Sequence, residues 1–156
     1  MISSYRAVFG LRSGTALTQR GIMSIFYTSG YKYQLTQDYT CKTAIKSDYG
    51  IITEYIQLGR NGKMLIRKGY AWDGATVAKD TRNFMRGSLV HDALYQLMRY
   101  RELPLSCRKA ADKELHKICV EDGMCKARAW WVYQGVSWFA GSAALPSHKK
   151  KELKAP

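Results

Sequence analysis

The hydrophobic period of this chain changes once, and that change limits the possible fold more than any other feature. From Met23 to about Ala71, apolar and polar residues alternate. Tyr31–Leu35 does so strictly and Tyr39–Ile45 more loosely, while Ile51–Leu58 and Lys63–Arg67 flank Gly59-Arg-Asn-Gly62. A period of two belongs to strands with one buried face, and Asn-Gly between two apolar runs marks a hairpin turn. The pattern predicts a small N-terminal antiparallel sheet of three or four strands. After Asp80 the period becomes that of a helix. Helices are expected from about Arg82 to Tyr100, from Ser106 (behind Pro104) to Glu121, and from Lys126 to about Leu145, with Gly123 and Pro146 as stops. Strands first and helices after give an α+β fold, with the first two helices an antiparallel pair.

At 156 residues the chain has room for one domain. We place it at 23–146, behind a basic N-terminal arm, 1–22, and ahead of a basic solvated tail, 147–156. Alternatively Met23 is the working start. An apolar share of 46% with 24% charged residues excludes wholesale disorder, a collagen-like chain and a disulfide-scaffold miniprotein. The 25 Lys and Arg against 12 Asp and Glu leave a net charge of +13. That excess favours an anionic partner: lipid head groups, nucleic acid or an acidic protein surface. Arg6, Arg12 and Arg20 carry part of it, Lys149, Lys150, Lys151 and Lys154 another part, and the rest is spread through the domain. Cys41, Cys107, Cys119 and Cys125 form no C-x-x-C pair and read as reduced thiols. Residues 1–22 contain no apolar core of a secretory signal. Residues 129–145 carry no charge but include Gln134, Ser137 and Ser142, which fits a packed helix better than a membrane span. Its tryptophans also suit a lipid interface.

Two polar residues stand where apolar ones are expected. His91 shares a helical face with Phe84, Ser88, Leu94, Tyr95 and Met98, and Asp112 shares one with Ala111, Leu115, Ile118 and Cys119. A carboxylate inside an apolar stripe costs several kcal/mol unless it is partnered. The turn between the two helices centres near Leu103, with His91 12 residues before it and Asp112 9 after. In an antiparallel pair the two heights then differ by ~4.5 Å, and packed helix axes lie ~8–10 Å apart. The spacing therefore permits a His91–Asp112 hydrogen bond. Such a pair leaves one imidazole nitrogen to accept a proton from water; equally, it can staple two helices, or Asp112 can pair with Arg108 one turn before it. An open path to His91 would favour catalysis, and full burial would favour the staple.

Asp92 follows His91, and Asp73-Gly74 lies in a turn-like segment upstream. Two carboxylates with loop carbonyls are the hard oxygen donors that calcium prefers, although Asp-Gly turns also occur without metal. His116 and Cys119 are at most half a zinc site. There is no G-x-S-x-G, phosphate-binding loop or dinucleotide fingerprint, hence no nucleotide cofactor is expected.

The run Asp73-Gly-Ala-Thr76, Phe84, His91-Asp-x-x-Tyr95 and Arg108-x-x-x-Asp112 resembles a protein family of tailed phages and prophages. The likeness extends from about Met23 to Leu145 and departs after Thr76, where Pro is usual and this chain has Val77-Ala78. It implies a viral setting, in the host cytoplasm or the virion with virion proteins as partners, and brings no activity. The segment Asp73–Asp112 also resembles the secreted calcium-dependent phospholipase A2 enzymes, especially the bacterial type. That resemblance implies an ester hydrolase with His91 as general base, Asp112 orienting it, Tyr95 and Arg108 in support, and calcium held by Asp92, Asp73 and the Gly74 carbonyl. The disulfides that brace those enzymes have no counterpart among the four cysteines here. The rival expectations are a non-catalytic virion or host-interaction protein, in which the pair is structural, and charge-driven nucleic-acid binding.

Overall fold

The computed structural model describes residues 25, 27–28, 33–74, 81–139 and 141–148. The expected arm, most of the expected tail, and Ala75 and Thr76 of the Asp-Gly segment lie outside the described residues. The chain is α+β. The antiparallel strands β1 (Tyr27–Thr28), β2 (Tyr33–Leu35), β3 (Tyr39–Lys42), β4 (Ile51–Ile52), β5 (Ile56–Leu58), β6 (Lys63–Ile66) and β7 (Ala71–Trp72) precede α1 (Arg82–Arg99), α2 (Arg108–Glu121) and α3 (Lys126–Phe139). Where one sheet of three or four strands is expected, the strands form two: a four-stranded sheet of order β3-β6-β5-β4 and a three-stranded one of order β1-β2-β7.

Alternation sets which strand face is buried. Tyr39 and Cys41 of β3 point inward while Thr40 and Lys42 face solvent, and Met64 and Ile66 do the same for β6. These side chains, with Ile51, Ile56 and Leu58, pack on Leu89, Val90, Ala93, Leu94 and Leu97 of α1 in one core. The run Ile51–Leu58, read from sequence as one apolar segment, folds back on itself. Ile51 pairs with Leu58 and Ile52 with Gln57, because the Thr53 hydroxyl accepts from the Ile56 amide (3.1 Å) and donates to the Ile56 carbonyl (3.0 Å).

The β5–β6 hairpin turns on Gly59–Gly62, as its Asn-Gly signal predicts, with the Asn61 side chain accepting from the Lys63 amide at 2.9 Å. Gly62 has φ +79°, and a Cβ there would lie 2.4 Å from the Thr43 carbonyl oxygen. Gly62→Ala is accordingly expected to cost about 2 kcal/mol or more, from a left-handed backbone that alanine resists plus that overlap. Urea denaturation checks it, and an unchanged midpoint would mean that the turn slides off Thr43 freely.

The helices α1 and α2 pack antiparallel, closely enough that a Cβ at Gly87 would meet Cys119 Sγ and Leu115 Cδ1 at 3.0 Å each. Glu114 is buried and accepts from the Ala44 amide at 3.0 Å, which ties α2 to the chain leaving β3. A second apolar cluster, including Phe84, Leu115, Cys119, Met124, Ala129 and Val132, seats α3 on the pair. The helix α2 stops at Gly123 as expected. The helix α3 does not reach Leu145: it ends at Phe139, and 3-10 turns follow at Ser142–Ala144 and Pro146–His148, the last of them within the segment read as tail. Two arginines bind carbonyls in this region. Arg108 Nη1 donates to the Ser137 carbonyl (3.0 Å) and Arg99 Nη1 to the Ala143 carbonyl (2.9 Å), and the Arg108 guanidinium lies against Gly141, where there is no side chain to displace it. The Ser137 carbonyl, in the last turn of α3, thus has a partner outside the helix. Among the described residues, no helix is long and apolar enough to cross a membrane.

Candidate functional site

The two misplaced polar residues meet. His91 Nε2 lies 2.9 Å from Asp112 Oδ1 across the α1–α2 interface. The same oxygen accepts the Tyr95 hydroxyl at 2.7 Å. Tyr95 is one turn beyond His91 on α1, so both donors reach one acceptor, and their rings lie 4.1 Å apart between centroids. Asp112 is wholly buried. A carboxylate with no access to water needs several donors, and a third comes from α3: Ser137 Oγ, 3.4 Å from Oδ2. Arg108 is less direct. Its Nη1 is 3.9 Å from Asp112 Oδ2, too far for a hydrogen bond, and its proton goes to the Ser137 carbonyl. Arg108 thus supplies charge and holds Ser137 in place, and the pairing of Asp112 is with His91.

Ionisation follows from these contacts. Burial pushes the Asp112 carboxyl up, but hydrogen bonds from His91 and Tyr95 outweigh it and hold the group below the ordinary carboxylate value. Burial lowers the His91 pKa, while Asp112 on one nitrogen and Asp92 near the other raise it above the ordinary imidazole value. With Asp112 ionised, Nε2 must carry a proton, so Nδ1 is the nitrogen left for chemistry. It faces Asp92, whose Oδ1 is 3.8 Å away. The His91 residue is 5% exposed, whereas the Asp92 side chain is 29% exposed.

The segment carrying Asp73 is anchored beside α1. Trp72 Nε1 donates to Ser88 Oγ at 3.1 Å, and Ser88 stands one turn before Asp92. Tyr70 is buried, and its hydroxyl pKa is raised well above the ordinary value by burial first and then by the negative charge of Asp92. Gly74, at φ +72°, follows in a left-handed conformation. Among the described residues, no three of His, Cys, Asp or Glu converge as a metal-ligand cluster. A divalent ion at this place would rely on these two carboxylates and on backbone oxygens such as that of Gly74.

Ser137 and Tyr70 were not legible as site residues. Ser137 is one hydroxyl in a chargeless run, and nothing in its spacing couples it to a residue on α2. The four cysteines are free. Cys41 and Cys119 are buried, and burial pushes each thiol up to about 12, so they act as small apolar groups. His116 stands against the edge of the Tyr133 ring, 6.0 Å between centroids, and takes no part in the site. No family model, curated protein or solved structure matches this chain.

Proposed function

We propose that this chain is a calcium-assisted hydrolase of lipid esters, with His91 as general base. One observation carries the reading: His91 Nε2 is committed to a wholly buried carboxylate, while Nδ1 is turned toward the partly exposed Asp92. Asp112 and Tyr95 fix the tautomer and angle of the ring. Nδ1 then takes a proton from a water attacking the ester carbonyl and later returns it to the leaving alcohol. Asp92, Asp73 and the Gly74 carbonyl would hold calcium, which when bound supplies positive charge for the carbonyl oxygen. The order of these residues is that of the phospholipase A2 enzymes they resemble, and the +13 charge suits an anionic lipid substrate. The tailed-phage resemblance adds a setting, host cell or virion, and no chemistry.

A second reading has its own support. At 5% exposure His91 is close to sealed, and a sealed pair pins α1 to α2 without turning over substrate. The two readings part in one experiment. Purified protein is given mixed phosphatidylglycerol and phosphatidylcholine vesicles with calcium, and free fatty acid is measured. The hydrolase reading expects release that stops on chelation and falls about a hundredfold or more in His91→Ala. No release by folded wild-type protein, or release that His91→Ala leaves unchanged, refutes the hydrolase and leaves the pin.

A further inference from the structure

The exposed face of α3 is at odds with an ordinary solvated helix. Trp131 is 64% and Trp138 68% exposed, and Trp130 and Phe139 also lie open. Trp131 and Trp138 are seven residues apart, two helical turns, so both project from one line along the axis. Ala127 and Gln134 fall on the same line, and from Ala129 to Ser147 the sequence has no charge. Exposed cations stand on the same helix and on its neighbour. Lys126 is exposed at the start of α3, and Lys109 and Lys113 are exposed on the neighbouring α2.

From this arrangement we infer that α3 is a docking surface for anionic lipid bilayers, lying in the plane of the head groups. Indole rings favour that zone because their apolar body enters the acyl boundary while the N–H stays with polar groups. An uncharged aromatic line, with exposed lysines on the same helix and its neighbour, is what an in-plane helix on an anionic membrane needs. A second copy is a poor occupant, since face-to-face pairing would bring two chains of +13 together. A nucleic-acid strand fits less well too, because cations would have to track its backbone along the line rather than border it. The inference does not depend on turnover at His91.

Vesicle flotation with full-length protein tests it, using phosphatidylcholine alone and phosphatidylcholine with phosphatidylglycerol, and with tryptophan emission as a second readout. Wild type is expected to float with the anionic vesicles, with blue-shifted emission, and far less with neutral ones. Trp131→Ala/Trp138→Ala should keep its thermal transition, as both side chains are exposed, and bind at least about tenfold more weakly. Lys109→Glu/Lys113→Glu should weaken binding to the anionic vesicles alone. Wild type that stays off anionic vesicles overturns the inference. So does binding that the tryptophan variant leaves unchanged, a lipid-free dimer that this variant dissociates, or binding to an oligonucleotide in place of vesicles. His91→Ala is expected to float like wild type. Flotation without fatty-acid release refutes only the hydrolase, and release from a soluble short-chain ester without flotation refutes only the docking surface.

Discussion

Asp112→Ala is expected to lower the unfolding free energy by about 3–5 kcal/mol, the range for breaking a buried charge pair by removing one partner. The change leaves the His91 Nε2–H and the Tyr95 hydroxyl, which now converge on one oxygen, with no acceptor in an interior closed to water. Asp112→Asn keeps an oxygen for them and should lose roughly half as much. Urea titrations of the three proteins make the comparison, and equal stability of Ala and wild type would mean that the pair holds nothing together. The carboxyl of Asp112 sits below its ordinary value when folded. Its contribution is therefore complete above the unfolded value of about 4 and is lost as pH falls through the folded value. The gap between wild type and Asp112→Ala should accordingly narrow on acidification below about pH 4. A gap that widens there would reverse the sign argued here.

The other large effect belongs to Arg86, which the sequence shows only as one more cation on α1. It is buried, donates from Nε to both Asp122 oxygens at 3.0 Å and from Nη2 to Glu121 at 2.9 Å, and reaches the Tyr39 hydroxyl at 3.4 Å. One guanidinium thus joins α1, the end of α2 and β3. Asp122 is nearly closed to solvent while Glu121 is half open, so Asp122 is the costly partner to strand. Arg86→Met preserves much of the volume and removes the charge, and is expected to cost about 3–5 kcal/mol. Adding Asp122→Leu to it should recover much of the loss, because two apolar groups replace a pair instead of orphaning half of one. A double variant no better than the single one would show that Arg86 acts through packing alone.

Much of this was legible before any coordinates. A period of two followed by a longer one defined strands and then helices, because burial of one face imposes the spacing of each element. His91 and Asp112 stood out as polar residues on apolar stripes, and their offsets from Leu103, 12 residues before and 9 after, permitted a bond between them. The misreadings have local causes. The run Ile51–Leu58 hides a turn because Thr53 fits an alternating strand as well as it fits a bend. Apolar patterning runs on to Leu145 while α3 ends at Phe139, because an uncharged run does not by itself mark where a helix gives way to 3-10 turns.

By itself the sequence determined the class of fold, the antiparallel pair and the presence of a carboxylate that had to find a partner, since each follows from periodicity and the cost of burying charge. Only the tertiary structure decided that Ser137 completes the shell around that carboxylate, that Nδ1 turns to Asp92, that Arg86 joins three elements, and that α3 leaves its tryptophans uncovered. These features join residues whose separation in the chain carries no period, and the packing of whole elements alone brings them within reach.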